Sequence, residues 1–580
     1  MARPNEEVGG LFQEYADLIA ITGGEQYKAR VYEKAARAIA GYHQDVSTLD
    51  DAGLRQIPGV GQSIADKINE YLRTGHVEVV DELRAQIPAG VRELTEIPTL
   101  GPRKAMLLYE ELGVSSIDEL LSALDAERLR DLKGFGPKTE ENIRHGVELL
   151  RQAGGRVRLD VALEVAEPVV AELASVPGCT RCAYAGSLRR MRETIGDVDV
   201  LATAEDAGPL MEAFVGLPSV VEVVAHGETK SSVRTSSGLQ IDLRVVVPAA
   251  WGAALQYFTG SKAHNIRTRE IAGRRGLKLS EYGLFDAETD ELMVSQTEEE
   301  VYARLGLPWI PPTLREDRGE IEAALAGELP DLVTEQAIRG DLHTHTNLTD
   351  GVSSLETMVD AAARRGYSYF AVTDHAPNLF MQRMSDRKML DQRGRVRELD
   401  SRHRRMRVLH GTELNIGPDG EVDWPADFLA GFDLCVASVH SHFGQSRAEM
   451  TRRLVRACQN PHVNILGHLT ARQIGRRPPV DADMDEVFAA CARTGTALEV
   501  NSLPDRLDLP DELIVRARRH GVRFAVDSDA HAAGHLDFLR YGIGIAQRGW
   551  LTPDDVINTW PLRRLRAFLH KPRRGEAAPP

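Results

Sequence analysis

Two groups of acidic and histidine side chains in this 580-residue chain have a spacing that suits metal chemistry. In the first group, Asp197 and Asp199 lie two residues apart in the strand-like run DVDVLAT, and Asp242 lies in LQIDLRVVV. Residues two apart in a β-strand point to the same face. Three carboxylates from neighbouring strands can hold two divalent cations about 3.5–4 Å apart and catalyse an in-line phosphoryl displacement. A lone DxD is more often a solvated strand end, so the third aspartate is what favours a metal site.

A phosphate-binding pattern precedes these aspartates. Gly186 and Ser187 open a helix-compatible segment that carries Arg189 and Arg190. A small turn, a hydroxyl, the N–H groups of a helix start and an arginine together suit a polyphosphate. The first group therefore predicts transfer of a phosphoryl or nucleotidyl group.

The second group lies in the C-terminal half, where successive apolar segments end in His, Asp or Glu. It opens with DLHTHTNLTDG and comprises nine side chains: His343, His345, Asp350, His375, Glu413, His440, His468, Asp529 and His531. A single histidine at a strand end is more often a hydrogen-bonded structural residue, which is the interpretation kept for His403 and His520. At roughly four ligands per zinc, with one carboxylate shared, nine suffice for up to three ions. The mixture fits Zn²⁺ or Mn²⁺ better than Mg²⁺ and predicts hydrolysis of a phosphoester.

The two groups of side chains belong to two different predicted folds. From about Leu159 short β-rich runs alternate with helical stretches, which predicts an α/β domain around the aspartates. From Ile338 apolar strand-like segments alternate with many helical ones, and each ends in a candidate ligand. This is typical of a parallel barrel with its ligands at the C-terminal strand ends. Residues 316–337 are acidic and helix-prone and are predicted to connect the two parts.

The first 150 residues contain three similar glycine turns, each followed by a helix-compatible run. They read IPGVG, IPTLG and LKGFG, and their glycines include Gly59, Gly61, Gly101, Gly134 and Gly136. Glycine permits a positive-φ turn between helices and leaves N–H groups exposed for a phosphate. One copy is equally an ordinary helical hairpin with a glycine cap. Three copies resemble the helix-hairpin-helix motif and favour binding to nucleic-acid backbone without base reading.

Bulk composition sets outer bounds. The chain is too long for one core, so several domains are expected. The net charge of −16 is weak evidence against nucleic acid, because metal-binding carboxylates contribute to it. The five cysteines form no disulfide framework, and the Cys179–Cys182 pair has no second pair to complete a zinc site. Neither a membrane-spanning run nor a signal peptide is found, so a cytoplasmic location is expected.

Further motifs in the first 315 residues resemble the DNA polymerase X family, whose palm belongs to the polymerase beta superfamily of nucleotidyltransferases. Besides GS and DVD, they are GETK at 227–230, YFTGSKAHN at 257–265 and TEEEVYARLGLPWIPPTLRE before residue 317. The resemblance implies a palm and a thumb, two Mg²⁺ or Mn²⁺ ions, deoxynucleotides and gapped or nicked DNA. Asp197 and Asp199 would bind both ions, and Asp242 would bind the catalytic one near the primer 3′-hydroxyl.

The resemblance also assigns nucleotide contacts. Ser187 and Arg190 would hold the triphosphate, and Arg244 would lie beside the aspartates as a charge partner. The remaining residues would floor the sugar or touch the minor-groove side of the nascent pair: Tyr257, Phe258 and Gly260 for the sugar, Asn265 and Arg269 for the pair. Two departures stand out. One extra residue separates Ser187 from Asp197, and Gln240 replaces an arginine of polymerase beta, which leaves the primer-end contact open.

The N-terminal hairpin resembles the lyase domain of polymerase beta, in which a lysine forms a Schiff base that removes 5′-deoxyribose phosphate. Lys67 aligns with that lysine, and Lys28 and Tyr32 align with residues that support the 5′-phosphate. Ser63 and Val79 stand where that pocket has basic residues. A nucleophilic lysine needs a special electrostatic setting. Lyase chemistry at Lys67 therefore stays open, and simple binding of a 5′-phosphate across a gap is favoured.

The nine-residue pattern resembles the PHP (polymerase and histidinol phosphatase) domain, a distorted (β/α)7-type barrel with a trinuclear centre. The resemblance implies three ligand sets that share residues. They are His343, His345, Glu413 and Asp529; then Asp350, His375 and His531; then Glu413, His440 and His468. Arg472, Arg476 and Arg477 follow the last strand-end histidine and suit either phosphate contacts or plain surface charge.

The predicted protein is thus a multidomain bacterial family X polymerase with a C-terminal PHP domain, acting as a monomer. Its predicted parts are helix-hairpin-helix regions 1–90 and 91–155, palm 156–248, thumb 249–315, linker 316–337, PHP domain 338–570 and a disordered tail 571–580. It would fill short gaps in DNA repair and trim 3′ ends, with nicking at abasic sites as a further option. Three alternatives stay open: a PHP domain acting as a small-molecule phosphatase or a structural passenger, a non-catalytic DNA-binding scaffold, and RNA or tRNA nucleotidyl transfer.

Overall fold

The chain folds into a helical N-terminal part, a mixed α/β middle and a C-terminal parallel barrel. The structure is a computed structural model that describes residues 4–571 apart from 23–24, 41, 43, 88–90, 92–93, 96, 98–99, 133, 154 and 380–383. The predicted disordered tail lies outside the described residues except for residue 571. So do two residues of the second glycine turn, at 98–99. The predicted domain boundaries stay predictions.

The N-terminal part is entirely helical in its described residues. Its α-helices are Pro4–Ile21, Gln26–Ala40, Asp51–Leu54, Gln62–Thr74, Glu78–Gln86, Pro102–Leu112, Ile117–Asp125 and Pro137–Ala153. Amphipathic faces pack into one apolar core, in which Phe12 stacks on Tyr32 with ring centroids 5.8 Å apart. Gly59 and Gly134 adopt φ values of +84° and +94°, which confirms the predicted positive-φ turns.

A five-stranded sheet forms the centre of the middle part. Its strands are β2 (Arg181–Tyr184), β4 (Asp197–Thr203), β5 (Val220–His226), β6 (Lys230–Thr235) and β7 (Gln240–Val246). They lie in the order β2-β4-β7-β6-β5, with β4 and β7 parallel. A small pair of strands, β1 (Val157–Arg158) and β3 (Thr194–Ile195), lies beside the sheet, and helices Leu159–Ala174, Gly186–Arg189 and Gly208–Val215 belong to the same part. Along β7 buried residues alternate with half-buried Gln240, Asp242 and Arg244, as the strand pattern predicts.

The thumb region follows as helices Trp251–Thr259, Lys262–Arg274 and Glu298–Arg304 with a small antiparallel sheet. Its strands are β8 (Leu277–Ser280), β9 (Gly283–Asp286) and β10 (Leu292–Val294). Buried Glu298 accepts hydrogen bonds from Arg189 at 2.8 Å and from Arg315 at 2.6 Å. These bonds join the thumb to the sheet domain and hold the pKa of Glu298 at about 2, because the two guanidinium groups outweigh the effect of burial.

The acidic connector is packed into the fold. It contains helix Glu320–Ala326, and the buried Glu320 carboxylate lies 2.7 Å from the Nδ1 atom of buried His264. The same histidine reaches the Tyr302 hydroxyl at 2.8 Å. Arg318 of the same segment pairs with Asp511 at 2.9 Å, so the segment predicted as a linker contacts both the thumb region and the barrel domain.

The C-terminal part is a seven-stranded parallel sheet in simple sequence order, which confirms the predicted barrel. Its strands are β11 (Gly340–Asp341), β12 (Tyr369–Val372), β13 (Arg407–Asn415), β14 (Leu434–Ser438), β15 (Ile465–Leu466), β16 (Ala497–Asn501) and β17 (Phe524–Asp527). They are buried almost throughout, as expected for parallel strands covered by helices. The Leu342 N–H donates to Asp527 Oδ1 at 2.8 Å, and a parallel bridge joins Thr344 to Ala530, so the barrel nearly closes.

Helices surround the barrel. They are Leu355–Arg364, Asp386–Arg402, Ala426–Leu429, Arg447–Gln459, Met484–Thr494, Asp511–Arg519, Leu539–Arg548 and Leu562–Leu569. The five cysteines are all free, in agreement with the prediction of no disulfide framework. Within the described part of the chain, we find no helix both long enough and apolar enough to cross a bilayer.

Candidate functional sites

Three aspartates meet on one face of the five-stranded sheet. Asp199 in β4 lies directly opposite Asp242 in the parallel strand β7, and Asp197 lies two residues before it. Burial, reinforced by the like charges of Asp197 and Asp242, raises the pKa of Asp199 to about 7. Such a concentration of carboxylates favours bound cations, and oxygen ligands of this kind suit Mg²⁺ or Mn²⁺.

The cavity over the aspartates has a volume of about 890 Å³. It brings together nine of the predicted contacts: Ser187, Arg190, Asp197, Asp199, Tyr257, Phe258, Gly260, Asn265 and Arg269. Gly186, with φ +59°, approaches the Asp199 carboxylate so closely that a Cβ atom there would clash with it. The glycine therefore lets the short helix that carries Ser187 start beside the metal ligands.

Within this cavity several predicted contacts already have protein partners. The Asn265 amide donates to the Tyr257 carbonyl oxygen at 2.7 Å and accepts from Gln256 at 3.0 Å. The Arg269 guanidinium lies over the Tyr257 ring, 5.1 Å from its centroid. These interactions fix Tyr257 at the wall of the cavity. The contacts of Asn265 and Arg269 with a nascent base pair stay predictions.

Arg244 lines a small cavity together with Asp199 and Asp242, but no ion pair joins it to either aspartate among the described residues, so its role as their charge partner stays a prediction. Its guanidinium lies 5.4 Å from the Phe258 ring centroid, and its Nε atom is buried without a hydrogen-bond partner among the described residues. The cation beside the aspartates is Lys230, whose Nζ lies 3.4 Å from Asp242 Oδ2. The reason is positional: Lys230 lies in the neighbouring strand β6 and extends along it toward Asp242. The Gln240 amide also donates to Asp242 Oδ1 at 2.9 Å.

The N-terminal candidates lie on the surface of the helical part. Lys28 is exposed and Lys67 is half-buried, and the Lys67 ammonium donates to the Ser63 hydroxyl at 3.0 Å. Gly61 and Gly101 are the N-cap residues of two helices, and neither helix start has a side-chain cap. The start of a helix is a site at which a phosphate can bind. Tyr32 is buried in the core, where it stacks on Phe12.

The nine predicted ligands of the barrel meet at the carboxyl ends of its strands. In the first set, the Nε2 atoms of His343 and His345 lie 3.1 Å apart, and Asp529 Oδ1 and Glu413 Oε2 lie within 3.7 Å of both. Among the described residues, every group of three or more His, Cys, Asp or Glu side chains close enough to hold one metal ion lies in the barrel.

The second set lies beside the first, and the third shares Glu413 with it. Asp350 Oδ2 lies 3.1 Å from His375 Nε2 and 3.4 Å from His531 Nε2. Glu413 Oε1 lies 2.9 Å from His468 Nε2 and 3.1 Å from His440 Nε2. His403 and His520, predicted to be structural and not ligands, belong to none of these sets and lie next to Asp360 and Asp485.

The donor set fits metal ions. The Nδ1 atoms of His345 and His468 and Asp350 Oδ1 are buried without a hydrogen-bond partner among the described residues, although buried polar atoms are normally satisfied. Burial opposes the charge of Glu413, but the neighbouring histidines His440, His375 and His343 hold its pKa well below the usual value. Mixed imidazole and carboxylate ligands of this kind suit Zn²⁺ or Mn²⁺.

Glu499 is a residue of this centre that the sequence pattern did not identify. Its buried carboxylate lies 2.6 Å from His343 Nδ1 and accepts hydrogen bonds from the His468 N–H and, at 3.1 Å, from the Asn501 amide. A carboxylate on Nδ1 fixes the imidazole tautomer and directs Nε2 toward the metal. The signal was present in ALEVNS, where a glutamate interrupts an apolar strand.

Replacing Glu499 with glutamine is expected to weaken metal binding. The amide keeps the size of the side chain but no longer stabilises the orienting proton on His343, and such changes typically cost about 10–100-fold in metal affinity. Metal content after dialysis against a graded chelator, measured by mass spectrometry, tests this. Glu512→Gln, a change at an exposed carboxylate, is the control. Equal metal retention in Glu499→Gln and wild-type protein would show that Glu499 has no such role.

The arginines after His468 are mostly engaged elsewhere. Arg472 donates to Glu193 of the sheet domain at 2.6 Å, and Arg477 lies over the Phe443 ring at 4.1 Å. Arg476 is exposed. A different arginine is nearest to the centre: Arg506 Nε lies 3.9 Å from Asp529 Oδ2, its side chain is 17% exposed, and its guanidinium donates no hydrogen bond to a described residue.

Family models match four regions of the chain. They are a helix-hairpin-helix domain at 3–77, a SAM-like helix-hairpin-helix tandem at 91–147, the DNA polymerase beta thumb at 254–316 and the PHP domain at 341–503. These matches cover the glycine turns, the floor of the large cavity and seven of the nine barrel ligands, while Asp529 and His531 lie beyond the PHP match.

Individual relatives cover the whole chain or one end of it. The DNA polymerase/3′-5′ exonuclease PolX of Bacillus subtilis (strain 168) is 35% identical over 567 residues, which are 97% of this chain and 98% of that protein. DNA polymerase lambda of Rattus norvegicus is 28% identical over 50% of this chain and 53% of its own length. A protein of Thermoanaerobacter sp. (strain X514) named as a probable phosphatase is 25% identical over 40% of this chain and 95% of its own.

Aspartates on a nucleotidyltransferase-like sheet, a nine-ligand barrel and a relative aligned over nearly both full lengths agree with one another. The chain belongs to the DNA polymerase X family, in the branch that carries a C-terminal PHP domain.

Proposed function

We propose that the protein is a gap-filling DNA polymerase fused to a metal-dependent 3′-5′ exonuclease that trims the same kind of DNA end. The observation that carries the proposal is the presence, in one chain, of the Asp197–Asp199–Asp242 cluster and the nine-ligand barrel centre. The PolX relative, aligned over 97% of this chain, combines the two activities in its name. Gapped or nicked DNA and deoxynucleotides are the proposed partners.

In the polymerase site Asp197, Asp199 and Asp242 would hold two Mg²⁺ or Mn²⁺ ions. When bound, these ions activate the attacking hydroxyl and neutralise the leaving phosphate. Ser187, the helix start at Gly186 and Arg190 bind the triphosphate in this proposal, and Lys230 balances charge at Asp242. Tyr257, Phe258 and Gly260 lie where they would floor the sugar and crowd a 2′-hydroxyl.

In the barrel the nine ligands would hold up to three Zn²⁺ or Mn²⁺ ions. When bound, the ions lower the pKa of a bound water and polarise phosphate oxygens. The residues of the chain supply the rest: Glu499 and Asn501 keep His343 and Asp529 in place, and Arg506 lies at the rim with donors free for a phosphate oxygen. A planar guanidinium suits phosphate recognition.

Replacing Arg506 with alanine is expected to slow 3′-end trimming by about 10–100-fold, because a charge-assisted hydrogen bond contributes roughly 1.5–3 kcal/mol. Arg506→Lys, which keeps the charge, should lie between the two. Release of a labelled 3′ nucleotide at several DNA concentrations measures the effect. Arg516→Ala removes an arginine that pairs with Asp485 at the surface and is the control. Wild-type trimming by Arg506→Ala would remove Arg506 from the site.

The main alternative is hydrolysis of a small phosphomonoester, which the similarity to the Thermoanaerobacter protein favours. One set of substrates separates the options: a duplex with a recessed 3′-hydroxyl, one with a 3′-phosphate, one with an abasic site, and p-nitrophenyl phosphate. We expect mononucleotide release from the recessed end, lost in His440→Asn. Cleavage of p-nitrophenyl phosphate with every DNA left intact would overturn the exonuclease proposal. Nicking at the abasic site would add an endonuclease activity to it.

The helical part is proposed to bind the DNA backbone around the gap at the helix starts that follow Gly61 and Gly101 and through Lys28. Lys67, bonded to Ser63 at the surface, is proposed as a 5′-phosphate contact with lyase chemistry as the second option. Trapping of a Schiff base with borohydride on 5′-deoxyribose phosphate DNA distinguishes the two. The protein is proposed to act as a cytoplasmic monomer.

A further inference from the structure

The segment from Ser187 to Glu193, which carries the proposed triphosphate contacts Ser187 and Arg190, packs against the PHP domain. Two hydrogen bonds hold the Arg190 side chain. Its Nε donates to Glu316 Oε1 at 3.1 Å, and its Nη1 donates to the Thr259 carbonyl oxygen at 2.6 Å. Its Nη2 donates to no described residue, and Arg190 lines the 890 Å³ cavity beside Ser187. The guanidinium is therefore held from one side with one nitrogen left for a ligand.

The group that holds this arrangement comes from the other catalytic domain. Arg548 lies at the end of helix Leu539–Arg548 of the PHP domain, and its side chain is 2% exposed. Its Nη1 donates to the Arg190 carbonyl oxygen and to Glu316 Oε1, both at 2.8 Å, and its Nη2 donates to Asp511 Oδ2 at 2.7 Å. Arg548 thus fixes both the backbone of Arg190 and the carboxylate that orients its side chain.

Two further residues of the PHP domain contact the same segment. Gly544, one turn earlier in that helix, lies against Met191, so that a Cβ at 544 would come within 2.6 Å of the Met191 side chain. Arg472 of the PHP domain donates to Glu193 at 2.6 Å. The segment from Ser187 to Glu193 therefore contacts the PHP domain through Arg190, Met191 and Glu193.

The charge balance around Glu316 also depends on Arg548. Burial opposes the ionisation of Glu316, but Arg548 and Arg190 hold its pKa below the usual value, so it is a carboxylate. Without Arg548 that carboxylate would lie next to a bound triphosphate with Arg190 and the more distant Arg192, 3.9 Å away, to balance it. Looser positioning and uncompensated negative charge both weaken nucleotide binding.

We propose that Arg548 of the PHP domain is a positioning residue of the polymerase site, which acts through Glu316 and Arg190 to hold the deoxynucleotide triphosphate. This inference rests on the proposed polymerase function. It makes the PHP domain part of the nucleotide site independently of the metals that it binds.

The test is steady-state incorporation into a one-nucleotide gap by the full-length protein. Arg548→Ala is expected to raise KM for the deoxynucleotide about tenfold and to change kcat less than about twofold, because the aspartates are untouched. Arg548→Lys keeps the charge but not the forked geometry, and should raise KM less. Exonuclease rate and melting temperature report whether each variant is folded.

Arg540→Ala is the matched control, since Arg540 lies on the same helix and pairs with Glu167 of the sheet domain at 3.0 Å without touching the segment from Ser187 to Glu193. Its KM should equal that of wild type. The proposal is wrong if folded Arg548→Ala, or Arg548→Lys should the alanine variant not fold, keeps the wild-type KM. It is also wrong if Arg540→Ala raises KM equally. Absence of incorporation by wild-type protein would instead contradict the proposed function itself.

Discussion

Replacing Asp242 with asparagine is expected to lower the rate of nucleotide incorporation by about three orders of magnitude or more and to leave 3′-end trimming unchanged. Asp242 lies opposite Asp199 in the parallel ladder and is the residue proposed to bind the catalytic metal at the primer 3′-hydroxyl. Asparagine keeps the shape but removes the charge that a divalent cation needs. Loss of one preorganised electrostatic contact costs about 10²–10³-fold in other enzymes, and loss of a metal ligand should cost at least as much.

Single-turnover incorporation on a one-nucleotide gap measures this effect. Glu222→Gln is the matched control, because Glu222 is an exposed carboxylate of the same sheet, paired with Arg234 at 3.1 Å. It should incorporate nucleotides as wild type does. If Asp242→Asn retained more than a tenth of the wild-type rate, this aspartate could not be a ligand of the catalytic metal.

Replacing Glu413 with glutamine is expected to remove 3′-end trimming, again by about three orders of magnitude, with incorporation retained. Glu413 is shared by two of the three ligand sets: Oε2 lies near His343 and His345, and Oε1 lies near His440 and His468. One substitution therefore weakens more than one metal position. Removal of a carboxylate from such a bridging position should lower both metal content and hydrolysis.

His440→Asn is a second variant at the rim of the same centre, where the side chain is 13% exposed, and it keeps the experiment decisive if Glu413→Gln fails to fold. His442→Asn, two residues further on, changes an exposed histidine whose Nδ1 faces Ser441 and should trim normally. Wild-type trimming by folded Glu413→Gln and His440→Asn would remove the barrel centre from the reaction.

Much of the barrel was predictable because its chemistry follows its strands. Each apolar segment ends in a ligand, and parallel strands bring their carboxyl ends to one edge. The same argument identified the aspartates, since alternation along β7 places Asp242 on the half-buried face. The positive-φ turns at Gly59 and Gly134 were predictable because few other residues adopt that conformation.

Residues that act through another residue were not predictable. Glu499 lies in an apolar strand and reaches His343, which is 156 positions away in the sequence. Lys230 of the neighbouring strand β6, which lies opposite Arg244 in the register, is the cation that pairs with Asp242. A periodic pattern gives the face on which a side chain lies but not its neighbour across the sheet.

Contacts between domains were also beyond the sequence. Arg472 was a candidate for a phosphate contact, yet its guanidinium binds Glu193 in the polymerase part. The connector that was predicted as a linker contains Glu316, which pairs with Arg190, and Glu320, whose carboxylate lies 2.7 Å from His264 Nδ1. Surface arginines and acidic helices look alike in sequence whether they face solvent or another domain, because only the packing decides it.

The central claim is that one chain carries two separable reactions on a DNA 3′ end. The most direct measurement is a gapped duplex with a 5′-labelled primer, incubated with Mn²⁺ with and without deoxynucleotides, using wild-type protein, Asp242→Asn and Glu413→Gln. We predict extension and trimming by wild type, trimming alone by Asp242→Asn and extension alone by Glu413→Gln. Loss of both reactions in either folded variant, or of neither in both, would contradict the claim.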